Sequence, residues 1–84
     1  MHEATIAQYA FDIIKETQNN DPAIKDKKVK KITFGMGKPY TVMKDSFEFY
    51  FSELIKGTTL DGAELEYEKS ELTGFFVSSI DVED

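Results

Sequence analysis

Three residues at the start of the chain, Met1-His2-Glu3, bring an amine, a backbone amide, an imidazole and a carboxylate into one short segment. The amine and the His2 amide nitrogen close a five-membered ring on a metal ion, and the amide with the imidazole closes a six-membered one. Nitrogen-rich, tetragonal coordination of this kind suits Ni(II) or Cu(II). A further ligand is expected from Glu3 or from a partner. The bulk of His2 favours retention of Met1, because removal of an initiator methionine generally requires a small second residue. Binding should depend on pH, since imidazole and amine have to lose protons whose reference pKa values are ~6.5 and ~7.7–8.0.

Little else in the chain could do chemistry. There is no cysteine, which excludes disulfides, thiolate zinc sites, iron–sulfur clusters and cysteine nucleophiles. His2 is the single histidine, so a serine, histidine and acid triad would have to draw on the extreme terminus. Glu64, Glu66 and Glu68 share one face of an expected strand, but a solvated one with no pocket to perturb a carboxylate. Gly35-Met36-Gly37 follows a strand without the third glycine of a dinucleotide loop or the Gly-Lys-Ser/Thr ending of a phosphate loop, and reads as a strand end and turn. The chain is therefore expected not to be an enzyme.

Ten lysines and no arginine oppose 16 acids, a net charge of -6 with a pI near 4.7. Such a balance repels phosphate backbones and argues against a nucleic-acid partner. Lysines 25, 27, 28, 30 and 31 form the one basic cluster, and it reads as the solvated approach to a strand. From Asp61 onward only Lys69 opposes eight acids, a run suited to keeping a sheet edge soluble. No apolar run reaches the roughly 18–20 residues of a membrane span, and the opening residues lack the pattern of a signal peptide. A cytoplasmic location is the expectation, with no membrane partner.

At 84 residues, with 40% hydrophobic and 31% charged, the chain has room for one small domain, residues 1–84, with a thin core. Ile6, Tyr9, Ala10, Ile13 and Ile14 recur at helical spacing, predicting an amphipathic helix from about Ala4 to Gln18, stopped by Asn19-Asn20-Asp21-Pro22. Val29 to Met36 alternates as a strand, with Ile32, Phe34 and Met36 on one face. Asp45 and Glu48 read as the N-cap and N3 pair of a second helix carrying Phe47, Tyr50, Phe51, Leu54 and Ile55, closed by a left-handed Gly57. Phe49 falls outside that stripe. A strand from Ala63 to Lys69 follows, with Ala63, Leu65 and Tyr67 inward. The last, Phe75 to Glu83, shifts phase at Ser78-Ser79 as a β-bulge would. The expected fold is α+β, two helices on one face of a three-stranded mixed β-sheet, in the order helix, strand, helix, strand, strand.

Met1-His2-Glu3 running straight into an amphipathic helix resembles the opening of the HypA/HybF family, nickel metallochaperones of nickel–iron hydrogenase maturation. Val29 to Gly37 resembles the family's first strand and its glycine, and Phe47 to Gly57 followed by Thr58 its second helix and Gly-Thr ending. Asp61 to Glu66 and Phe76 to Glu83 resemble its later strands, so the likeness runs in order along nearly the whole chain. The resemblance implies that Met1, through its amine, with His2 and Glu3 forms a nickel site. It also implies delivery of Ni(II) toward the hydrogenase large subunit, in concert with a maturation GTPase of the HypB type and without turnover.

One departure is large. Family members insert a zinc domain with two Cys-x-x-Cys pairs between the last two strands, where this chain has only Lys69-Ser70-Glu71-Leu72-Thr73-Gly74, so no zinc is expected. Lys38, after Gly37, also stands where the family often has an acid. A rival reading keeps the fold without the metal, as an interaction module pairing through its acidic sheet edge or its aromatic-rich second helix.

Overall fold

The computed structural model describes residues 3–38 and 44–83. Five elements follow in the expected order: α1 (Glu3–Asn20), β1 (Val29–Met36), α2 (Lys44–Ile55), β2 (Glu64–Lys69) and β3 (Phe75–Val82). The sheet runs β2-β1-β3, with β1 parallel to β2 and antiparallel to β3. Parallel pairing of β1 with β2 needs a crossover, and α2 supplies it.

Two bulges set which side chains reach the core. Along the β1–β3 ladder Thr33 pairs with Ser79 and Phe34 with Val77, leaving Ser78 without a partner. Phe75 and Val77 on one side of that bulge and Ile80 and Val82 on the other then all pack against the core, as the phase shift in the sequence predicts. A second irregularity, between Val29 and Lys31, was not expected. It lets Val29 and Ile32, three residues apart, both be fully buried.

The core lies between the helices and one face of the sheet. Ile6, Ala7, Ala10 and Ile14 of α1 meet Phe47, Phe51 and Ile55 of α2 over Val29, Ile32 and Phe34 of β1, with Leu60 at one end. The buried stripe of α1 is rotated from the expected one: Ala7 and Gln18 are inside, Ile13 is half-buried, and Tyr9 is 65% exposed. Tyr50, expected inward on α2, is 43% exposed. Aromatic rings are amphipathic enough to leave a stripe when alanine gives a closer helix contact, and Ala7 and Ala10 do so here. The second helix is already formed at Lys44, two residues ahead of the Ser46 start that an Asp45 N-cap gives. Asp45 is therefore in its first turn, complementing the helix dipole, rather than at its N-cap.

Two glycines are required by close approach. Phe76 lays its ring over Gly35 on the face of the sheet away from the helices, where any Cβ would collide with it. At Gly37 a Cβ would overlap the Leu72 carbonyl, because the five-residue link from β2 to β3 crosses the end of β1 there. Gly37 N–H donates to the Gly74 carbonyl at 2.8 Å and Ser70 N–H to that of Met36 at 3.0 Å. Gly57, at φ 76, closes α2 in the left-handed conformation expected of it.

Gln18 is 1% exposed and ties three segments together. Its amide donates to the carbonyls of Ile24 (3.1 Å) and Lys27 (2.6 Å) and accepts from the Thr59 hydroxyl (2.9 Å). Tyr67 is the opposite case: its buried hydroxyl has no hydrogen-bond partner among the described residues. Its ring stacks on Phe34 at 5.5 Å, and Lys44 Nζ lies 4.9 Å from its centroid. Burial above all, and then the negative charge of Glu48 with a smaller contribution from Asp45, pushes the phenol well above its ordinary value. Glu48 acts mainly through charge, not through a well-formed hydrogen bond.

Two outcomes follow. Gln18→Ala leaves the Lys27 carbonyl without its partner, takes one hydrogen bond each from the Ile24 carbonyl and the Thr59 hydroxyl, and should cost about 2–3 kcal/mol. For a domain of this size that lowers the thermal midpoint by roughly 10–20 °C, read by circular dichroism; a drop of under ~4 °C would show that the loop holds without it. Tyr67 resists ionisation in the folded chain while the unfolded chain releases that proton near ~10. Its contribution to stability is thus present below pH ~10 and lost as pH rises beyond it. Urea unfolding at pH 9 and 11 should show this decline in the parent and a shallower one in Tyr67→Phe.

Candidate metal centre

Of the three expected ligands the structure places one. Glu3 opens α1 and is half-buried in its first turn, while Met1 and His2 lie outside the described residues. Among the described residues no group of three or more histidine, cysteine, aspartate or glutamate side chains is arranged to hold a metal. Any chelate therefore depends on the atoms that precede Glu3.

The position of that end follows from the packing. At its C-terminal end α1 is held by Gln18 to Lys27 and Thr59, just before β1 begins and just after α2 ends. Near its N-terminus, Ile6 lines a cleft with Phe75 and Val77, opposite Met36 and Phe34 at the far end of β1. α1 thus runs antiparallel to β1, as α2 must in order to return the chain to β2. Both helices therefore start toward the end of the sheet where the Ser70–Gly74 link crosses it.

This sets the electrostatics. Each helix N-terminus carries the equivalent of roughly +0.5 elementary charge, and acids in the first turn offset it. Glu3 does so in α1 and Asp45 in α2. Glu3 is thus the one expected ligand that the described residues locate, in the first turn of α1.

Phe49, which the helical spacing leaves outside the stripe of α2, forms an exposed aromatic surface with Tyr50. Phe49, at 64% exposure, points away from the core and packs edge-on against Tyr50, 5.4 Å between centroids. Its position, two residues from Phe47 and Phe51, was the available signal, since a helix face cannot include both neighbours and the residue between them.

Comparison with known proteins agrees with this frame. The family description "Hydrogenase/urease nickel incorporation, metallochaperone, hypA" matches residues 1–75. The hydrogenase maturation factor HypA of Trichodesmium erythraeum is 35% identical over 66 residues, covering 79% of this chain and 53% of that protein. The class is thus that of nickel-incorporation metallochaperones. The chain belongs to the HypA family, and it spans about half the length of the curated relative it matches. The family description includes urease beside hydrogenase, a wider range of clients than the sequence reading expected. No helix among the described residues is long and apolar enough to cross a membrane.

Proposed function

We propose that this chain is a nickel-binding domain, residues 1–84, that carries Ni(II) as cargo and hands it on during hydrogenase maturation. The observation that carries the reading is family membership over residues 1–75, a stretch that includes Met1-His2-Glu3. The Met1 amine, the His2 amide and imidazole nitrogens and the Glu3 carboxylate are the donors, in a square-planar or pseudo-octahedral set. A deprotonated His2 amide and the Glu3 carboxylate together supply two negative charges, enough to offset a divalent ion at the positive end of α1. The role is non-catalytic and cytoplasmic. Its partners are a maturation GTPase of the HypB type and the hydrogenase large subunit, with neither nucleic acid nor membrane. With no cysteine in the chain and five residues joining β2 to β3, the zinc domain of the family is absent between residues 69 and 74.

The reading is tested by calorimetric titration with nickel, followed also by visible absorption. The chain with an authentic Met1 terminus should bind one equivalent, and the same chain extended by one residue before Met1 should not. His2→Ala should abolish binding with an unchanged circular dichroism spectrum, and unaltered affinity in that variant would sink the assignment. Because the imidazole must be neutral, the parent should bind at pH 8 and lose most of its affinity by pH ~5.5, about one unit below the reference histidine value.

The exposure of Phe49 favours a second reading, an interaction module that retains the HypA-like fold without carrying metal. In size-exclusion chromatography with light scattering, that reading predicts a concentration-dependent mass that Phe49→Ser reduces to the monomer. A monomer in both leaves nickel carriage as the remaining role.

A further inference from the structure

The buried residues of α2, Phe47, Phe51 and Ile55, recur every four positions. With 3.6 residues per turn, the side of the helix opposite them is the line through Asp45, Phe49 and Glu53. All three are exposed, and Phe49 belongs neither to the core nor to the half-buried residues packed against it. The Tyr50 ring meets it edge-on and widens the apolar strip on one side. Residues four apart on a helix are neighbours, so one carboxylate stands a turn before the Phe49 ring and another a turn after it, about 12 Å apart along the axis.

The lysines of this helix leave that pattern in place. Lys44 is drawn over the Tyr67 ring, toward the sheet, and Lys56 donates to Glu53 at 3.1 Å in a pair exposed on both sides. Asp45 has no ion pair among the described residues. An order of acid, aromatic, acid also discriminates between occupants. A second copy laid antiparallel on this face, Phe49 against Phe49, sets the Asp45 of one copy against the Glu53 of the other, and laid parallel it sets each acid against itself. Like charges so placed, on two chains of net charge -6, oppose self-pairing. The same spacing favours a partner with cations at those two places.

We infer that the Asp45–Phe49–Glu53 face of α2 docks a basic amphipathic helix of another protein, with an arginine or lysine one turn to either side of an apolar residue. Phe49 and Tyr50 are the anchor that becomes buried, and the two carboxylates pair with the cations around it. The aromatic centre gives affinity, and the charged rim gives register and selectivity. Displacing Lys56 from Glu53 costs little, because so exposed an ion pair contributes little. The inference rests on the exposed surface of the second reading and gives it a partner other than a copy of this chain. It uses none of Met1-His2-Glu3, so it holds whether or not the chain carries nickel.

The test is a titration of isotope-labelled, metal-free chain with a blocked, alanine-based helical peptide of about 18 residues that carries arginine, leucine and arginine at i, i+4 and i+8. Amide chemical shifts should saturate and centre on residues 45–56. A peptide with glutamate for both arginines should bind about tenfold more weakly or not at all at low salt. Phe49→Ser should keep the parent's thermal midpoint and weaken binding of the arginine peptide by about tenfold or more. Glu53→Lys should narrow the difference between the two peptides. Equal binding of the two peptides, no saturable binding, or shifts centred on Phe75–Val77 would each overturn the inference. So would light scattering that shows the chain already paired through Phe49 at the concentration titrated. Nickel titration of the same sample decides nickel carriage separately.

Discussion

The Phe34 ring is the contact on which the rest of the molecule depends. It lies on the central strand and is fully buried. Four aromatic rings from three other elements pack against it: Phe47 and Phe51 of α2 edge-on at 5.0 and 5.7 Å, Tyr67 of β2 and Phe75 of β3 stacked at 5.5 and 5.2 Å. Burial of such a ring contributes about 1.5–3 kcal/mol, and each well-placed pair adds about 0.5–1.5. In a domain whose whole stability is on the order of 5–10 kcal/mol, one residue thereby couples the crossover helix to both outer strands. The Ser78 bulge serves this arrangement, since without it Phe75 could not face Phe34 while Ile80 and Val82 also face inward.

Most of this was legible in the sequence because it rests on period. Strict alternation located β1 to the residue, and the inversion of phase between Val77 and Ile80 located the bulge. Gly57 identified the end of α2 because a left-handed turn leaves few other choices. What periodicity could not give was which side of a stripe wins when two are possible. Ile6, Ala10, Ile14 and Gln18 recur every four residues, yet a glutamine is not counted as core, so the expected stripe takes in Tyr9 and Ile13 beside Ile6, Ala10 and Ile14 and leaves out Ala7 and Gln18. Gln18 is inside because the loop before β1 and the turn after α2 present the Ile24 and Lys27 carbonyls and the Thr59 hydroxyl to its amide, and only the folded chain reveals them. The bulge beside Lys30 was hidden for a similar reason, since it arises from pairing with β3 and not from the order of residues within β1.

The candidate centre was legible in a different way, from the donor chemistry of three adjacent residues, which requires no fold. Of those three residues the described fold locates Glu3, at the start of α1. The link from β2 to β3 crosses the end of β1 so closely that Gly37 has no room for a side chain, and this same end carries the N-termini of both helices. A short link is therefore compatible with the nickel-domain frame: the flanking strands pair with β1 over their own lengths and need only five residues to pass from one side of it to the other.

Cargo sites face a constraint that resident metal sites do not, because the ion has to leave. In the proposed centre, tetragonal nitrogen donors favour tight binding of Ni(II) and still tighter binding of Cu(II). The positive ends of two helices oppose any cation placed there, and Glu3 and Asp45 compensate that field only in part, with one carboxylate in each first turn. Ligand strength and helix field thus act against each other at one end of the molecule. A recipient site that supplies further anionic donors then has to overcome less than the full strength of the chelate.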